Sequence, residues 1–183
     1  MTIEMEAVRL ESERLILRPH RIDDFPETAA LWADPNVVAH ISGTPLSAEQ
    51  SWARFLRYRG HWSYLGFGYW VVESRETGEF LGEVGFADYR RDTQPNLDGK
   101  PEAGWVFRTS AHGRGYATEA VSRMLLWADQ HLTSATTVCM FDPAHAASIR
   151  VARKVGYGND VLGRYGDRKS LFLERQRDIQ AAK

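Results

Sequence analysis

Gly113-Arg114-Gly115-Tyr116-Ala117-Thr118-Glu119-Ala120 is the stretch from which the fold of this chain can be worked out. It follows a strand-like segment, Ala103 to Phe107. It leads into Ala117, Ala120, Val121, Met124, Leu125 and Ala128, whose offsets of three and four mark a helix with one buried face. A helix start leaves backbone N–H groups without intrahelical partners, and the helix dipole adds partial positive charge there. Glycines remove the Cβ atoms that would hold an anion away from those groups. The turn therefore suits a phosphate, cradled by backbone, with Arg114 placed to add a charge-assisted contact. The plainer alternative is a glycine turn that only lets a helix begin, and local chemistry leaves both open. Two rival phosphate motifs fall away: no Gly-Lys-Ser/Thr follows, and no third glycine sits three residues after Gly115.

Working outward, Leu15 to Arg18 ends at Pro19 and predicts a first strand. Asp24-Phe25-Pro26-Glu27 predicts a helix start with an acidic cap, and Ser47-Ala48-Glu49-Gln50 a second start with a capping box. Tyr69–Glu73 and Phe80–Phe86 flank a Thr77-Gly78 turn and predict a hairpin. Arg90 to Pro101 has the composition of a surface loop. Thr136–Phe141 predicts a strand, Ala146–Val155 a helix stopped by Gly156, and Lys169–Leu173 a last strand. The expectation is one α/β domain over residues 1–183 with a mixed central sheet and flanking helices.

Composition bounds the function. The chain has 183 residues, 43% apolar and 26% charged, with a net charge of −1. That balance gives no general pull toward nucleic acid or anionic membrane, although basic residues gather at Arg90–Arg91 and Arg150–Arg153–Lys154. The single cysteine, Cys139, allows no internal disulfide, reads as a core residue, and makes a cytoplasmic setting the default expectation. The acidic N-terminal segment lacks a signal-peptide h-region, and no apolar run reaches the ~18 residues of a membrane span. The six histidines show no metal-ligand spacing, so no metal site is expected. Trp52, Trp62, Tyr64, Phe67 and Tyr69 read mostly as core, with some available to line an acceptor pocket. Glu119, on the first turn of the long helix, reads as a structural complement to its dipole.

Taken together, Gly113 to Ala120 resembles the acetyl-CoA pyrophosphate loop of the GNAT N-acetyltransferase superfamily, in its RimJ/RimL-type branch. Leu15–Pro19 with Asp23-Asp24, Leu81-Gly82 with Gly85-Phe86, Glu102–Val106, and Ala147–Tyr157 are similar to further motifs of that branch in the same order. Two positions depart from the pattern. His112 stands where the loop usually has Gln or Arg, and His145 where the branch commonly has Asn against the pantetheine arm. An imidazole there, titrating near about pH 6.5, makes the contact pH-sensitive.

The resemblance implies two splayed parallel strands, Ala103–Phe107 and Thr136–Phe141, with the pantetheine of acetyl-CoA in the gap. Backbone of Val106, Phe107 and Arg108 would pair with its amides, and His112, Gly113, Arg114, Gly115, Tyr116, Ala117 and Thr118 would hold its phosphates, with His145 and Ser148 near the thiol. The implied reaction is direct attack of a primary amine on the thioester. Glu102 is the first candidate for the base and Glu83 the second; Ser148 and Tyr165 compete to protonate the thiolate. The acceptor is either a protein N-terminus, as in the branch, or a small amine. A protein acceptor calls for an open groove with acids near its mouth, a small one for a closed pocket. A non-catalytic acyl-CoA-binding module is the alternative to an enzyme. A homodimer is compatible with the chain, although no sequence feature carries it.

Overall fold

Every side chain from Tyr69 to Val72 is buried, because the strand they form is covered on both faces. Trp70 and Val72 point into one core with Val84, Phe86, Val121, Met124 and Leu125; Val71 points into a second with Leu31, Trp32, Val38 and Val106. The structure is a computed structural model that describes residues 8–177. Residues 1–7, which carry part of the acidic N-terminal segment, and residues 178–183 lie outside the described residues.

In chain order the elements are β1 (Leu10–Glu11), β2 (Leu15–Pro19), α1 (Phe25–Ala33), α2 (Pro35–Val38), α3 (Ala48–Leu65), β3 (Tyr69–Ser74), β4 (Phe80–Ala87) and β5 (Thr93–Gln94). There follow β6 (Glu102–Phe107), α4 (Tyr116–His131), β7 (Thr136–Phe141), α5 (Ala146–Lys154), β8 (Gly158–Tyr165) and β9 (Arg168–Gln176). The strands form one mixed sheet in the order β1-β2-β3-β4-β6-β7-β9-β8-β5, antiparallel except where β6 meets β7. α4 and α5 cover one face and α1 and α2 the other, while α3 packs Tyr58 against Tyr69 on the second side and reaches the first through Trp62. Trp62, Trp70 and Trp127, from α3, β3 and α4, cross edge to face with ring centroids 4.8–5.5 Å apart.

The Ser47 capping box forms as predicted: Gln50 N–H donates to Ser47 Oγ at 3.2 Å, and Ser47 N–H to Gln50 Oε1 at 2.9 Å. Asp24 does otherwise. It precedes α1 without capping it, because its carboxylate is engaged bidentately by Arg18, both contacts at 2.7 Å. An ionised partner outcompetes an exposed N–H. The loop expected over Arg90–Pro101 contains β5, which pairs with β8. Tyr165 ends β8, and the reversal falls at Gly166-Asp167. Of the aromatic stretch, Trp62 and Tyr69 are buried, whereas Tyr64 is 89% exposed and Trp52 38%. Cys139 is fully buried, and burial pushes its thiol well up from the ordinary range.

Candidate active site

β6 and β7 run parallel yet share a single register position, Glu102 opposite Val138. Val138 N–H donates to the Pro101 carbonyl at 3.1 Å, and beyond that point the strands diverge. β6 stays paired to β4 as far as Phe107, so its other edge lies open along the gap. Arg108 N–H donates to the Leu81 carbonyl at 2.9 Å, on the β4 side. By strand alternation the main chain of Val106 also faces β4, while Trp105 and Phe107 present theirs to the gap. Of the three residues named from the resemblance, Phe107 is the one whose main chain borders the gap, and Trp105 joins it. The Phe107 carbonyl already receives His112 Nε2 at 3.0 Å, which ties the loop's first side chain to the strand.

The loop itself is built for close approach. Gly113 and Gly115 hold φ of +74° and +79°, a region that favours glycine. Gly115 is the N-cap of α4 and offers no side-chain cap. The N–H groups of Tyr116, Ala117 and Thr118 have no protein acceptor among the described residues. A Cβ on Gly113 would meet nothing within 4 Å, and one on Gly115 would meet only the Arg14 guanidinium, at 3.4 Å. Arg14 is steadied by Glu119, which accepts its Nε at 2.8 Å and its backbone N–H at 2.8 Å. Burial pushes the Glu119 carboxyl up, but these bonds and that from Ser12 outweigh it and hold it below the usual range. Arg14 and Arg114 both lie over the Tyr116 ring, 4.7 and 4.9 Å from its centroid. Free N–H groups, two guanidiniums and empty space fit a pyrophosphate.

On the α1–α3 side, a cavity of about 540 Å³ reaches from β6 across to β7 and the β8–β9 hairpin. Glu102, His145, Ser148 and Tyr165 all line it; Glu83 does not. Ser148 Oγ and His145 Nε2 lie 3.2 Å apart. The His145 ring stacks on His40 at 4.9 Å; burial first, then the charge of His40, lowers its pKa from the usual histidine value. Glu102 takes Arg91 Nε at 2.9 Å and Nη2 at 3.2 Å, and the same guanidinium lies 4.9 Å from the Tyr165 ring centroid. Glu83 is fully buried and accepts four bonds, from His20 at 3.1 Å, Thr28 at 2.6 Å, Trp32 at 3.0 Å and Tyr58 at 3.0 Å. Burial pushes its carboxyl up, and the bonds, that of His20 foremost, bring it below the usual range.

Arg54, Tyr69 and Tyr89 also line the cavity, and the sequence did not single out Arg54 or Tyr89. A signal for Arg54 existed: it lies three residues after Ser51 and four before Tyr58, on the buried face of α3. Among the described residues, no group of three or more His, Cys, Asp or Glu gathers as a metal site, and no helix is long and apolar enough to cross a membrane.

A splayed parallel pair beside a glycine-capped helix N-terminus defines an acyl-CoA site, and similarity to known proteins agrees with that geometry. A family model described as an acetyltransferase (GNAT) domain matches residues 14–158, and the chain belongs to that family. Protein YkkB of Bacillus subtilis (strain 168) is 32% identical over 127 residues, 69% of this chain and 70% of its own. The crystal structure of an acetyltransferase from Agrobacterium tumefaciens str. C58 superposes with a TM-score of 0.80 at 30% identity, covering 92% of this chain and 94% of its own. RimL, the ribosomal L7/L12 alpha-N-protein acetyltransferase, solved with coenzyme A, shares the fold: TM-score 0.73, 14% identity, 93% of this chain and 99% of its own. The chain is an acetyl-CoA-dependent N-acetyltransferase.

Proposed function

We propose that the chain transfers the acetyl group of acetyl-CoA to the primary amine of a small molecule, by direct attack within a ternary complex. The observation that carries this reading is the meeting of three features along one edge of β6: the gap-facing main chain of Trp105 with the Phe107 N–H, the cradle at Gly113–Thr118, and the cavity on the α1–α3 side. Acetyl-CoA supplies the activated acyl group, and the residues position and exchange protons.

Trp105 and Phe107 align the pantetheine as an added strand would, and the N-terminus of α4 neutralises the pyrophosphate. The amine nitrogen forms its bond to the thioester carbon and passes its proton toward Glu102. As the C–S bond breaks, the Ser148 hydroxyl, which His145 orients, donates a hydrogen bond to the departing thiolate, and the proton released by the amine balances the free thiol that leaves. Tyr165 bounds the acceptor end. A small acceptor is favoured because a protein N-terminus calls for acids at the mouth. Here the lining carboxylates are Asp142 and Glu102, the latter already held by Arg91, beside Arg54, Arg168 and Lys169.

Thermal unfolding with acetyl-CoA, CoA and ATP added separately tests the cofactor step. A ligand at about 100 times its dissociation constant adds ~2.7 kcal/mol, which raises the midpoint of a domain this size by roughly 5–10 °C. Both CoA compounds should shift it and ATP should not. Release of free thiol with an amine then separates an enzyme from a non-catalytic binding module.

A further inference from the structure

The buried face of α3 is formed by Ser51, Phe55, Tyr58, His61 and Trp62, and Arg54 falls on the same face. Its guanidinium packs on the Trp32 ring, 3.8 Å from the centroid, and lines the cavity together with Tyr69 and Tyr89. A guanidinium cannot discard its charge, so one that is half-buried, as Arg54 is, calls for an anion. The carboxylates on this side of the sheet are already taken. Asp24 and Glu73 pair with Arg18, Glu102 with Arg91, and Glu27 with Arg108; Asp142 takes the Ala144 N–H and lies 3.7 Å from His40, while Glu83 is filled by its four donors. None of these ion pairs reaches Arg54. Arg54 and Tyr89 meet only phenol hydroxyls here, Arg54 that of Tyr58 and Tyr89 that of Tyr69, and Arg54 Nε is left without a bond. Gly104 forms the wall beside them, where a Cβ would come within 2.0 Å of the Tyr69 hydroxyl.

Resting on the acetyltransferase reading above, we propose that Arg54 and Tyr89 form an anion subsite for the acceptor, so that the amine acetylated here carries a carboxylate or phosphoryl group. The Arg54 guanidinium, whose neighbours are phenol hydroxyls and not a carboxylate, lies on one cavity wall with Tyr89 and matches the oxygens of such a group, and the Trp32 face holds it flat against them. Four cations against two carboxylates in the lining reject a polyamine by the same charge. A cavity of about 540 Å³ that also takes the thioester end of the co-substrate leaves room for a compact acceptor, such as an amino acid or an aminoalkyl phosphonate.

The test compares glycine, aspartate and 2-aminoethylphosphonate with ethylamine, ethanolamine, glycine methyl ester and spermidine, by thiol release and by calorimetric binding to the CoA complex. The anionic amines should exceed the uncharged ones by at least about tenfold in kcat/KM, as expected for a charge-assisted bond in a buried site. The carboxylate and phosphonate arms tell which anion fits. Arg54→Gln should erase the preference and Arg54→Lys restore part of it, each retaining the melting shift given by CoA, which shows that the variant is folded. Equal or better turnover of spermidine or the uncharged amines overturns the proposal. So does an unchanged preference in Arg54→Gln, or no binding of any anionic amine at about 10 mM. Absence of a CoA shift in the wild type overturns the acetyltransferase reading itself, and this inference with it; a CoA shift without anion preference overturns the inference alone.

Discussion

Replacing Glu83 by alanine should cost the protein stability rather than chemistry. The carboxylate is fully buried, and each oxygen accepts two bonds: His20 and Thr28 on Oε1, Trp32 and Tyr58 on Oε2. Removal leaves those donors in a site that water enters poorly. At the low end of about 1 kcal/mol for each orphaned donor, and with some relaxation, the loss is about 3–5 kcal/mol. For a domain of this length, each kcal/mol moves the midpoint by about 2–4 °C, so Glu83→Ala should melt roughly 10 °C below wild type. The sign with pH follows from the linkage. Glu83 is held below the usual carboxylate range when folded, so its contribution is full above about pH 4.5 and is lost as pH falls through the folded value. The gap between the two melting curves should therefore narrow in acid. Scanning calorimetry from pH 3 to 8, with kcat measured at 20 °C, reads both effects. A variant melting within about 3 °C of wild type while kcat falls more than a hundredfold would show that Glu83 takes part in the reaction, and the structural account of it would be wrong.

His145 has a folded pKa lowered by burial and by His40, so it stays neutral above about pH 6.5 and disturbs the Ser148 contact when pH falls through the lowered value. The kcat/KM profile should show an acid limb below about pH 6.5 that His145→Asn removes; an unchanged limb in the variant assigns it to another group. Ser148→Ala should lower kcat about 10- to 100-fold with the KM for acetyl-CoA within about threefold, whereas Tyr165→Phe should act mainly on the KM of the acceptor. Steady-state kinetics with both substrates varied separates the two. Gly115→Val forces a β-branched residue to a φ of +79° and should cost about 1–2 kcal/mol of stability. It should also weaken acetyl-CoA binding by at least about tenfold, which titration calorimetry measures.

Much of the architecture was legible because periodicity and caps agreed. The offsets from Ala117 to Ala128 and the Ser47–Gln50 box each placed a helix, and Thr136–Phe141 was bounded as found. β8 escaped notice because it lies toward one end of the sheet, largely exposed, with Gly158, Asn159, Asp160 and Gly163 diluting any alternation. β5 escaped for a related reason, since two residues pairing with a distant strand leave no local pattern. Asp24 looked like a cap because local sequence shows the neighbouring N–H groups but not Arg18, which arrives from β2. At the site, the glycine turn that opens α4 was readable because positive φ angles and a helix start are local features. The fourfold capture of Glu83 and the placing of Arg54 among aromatic rings without a carboxylate arise where α1, α3 and β4 converge, and no single segment records that meeting.

Trp62, Trp70 and Trp127 supply a built-in optical gauge of α4. Indoles crossed at about 5 Å couple their electronic transitions, so the trio should give a circular-dichroism couplet whose amplitude depends on ring separation and tilt. Two of the rings belong to α3 and the sheet; the third rides on α4, whose first turn is the cradle proposed for the pyrophosphate. Any tightening or rocking of α4 as the cradle fills would be written into that spectrum, without a label or a change of sequence.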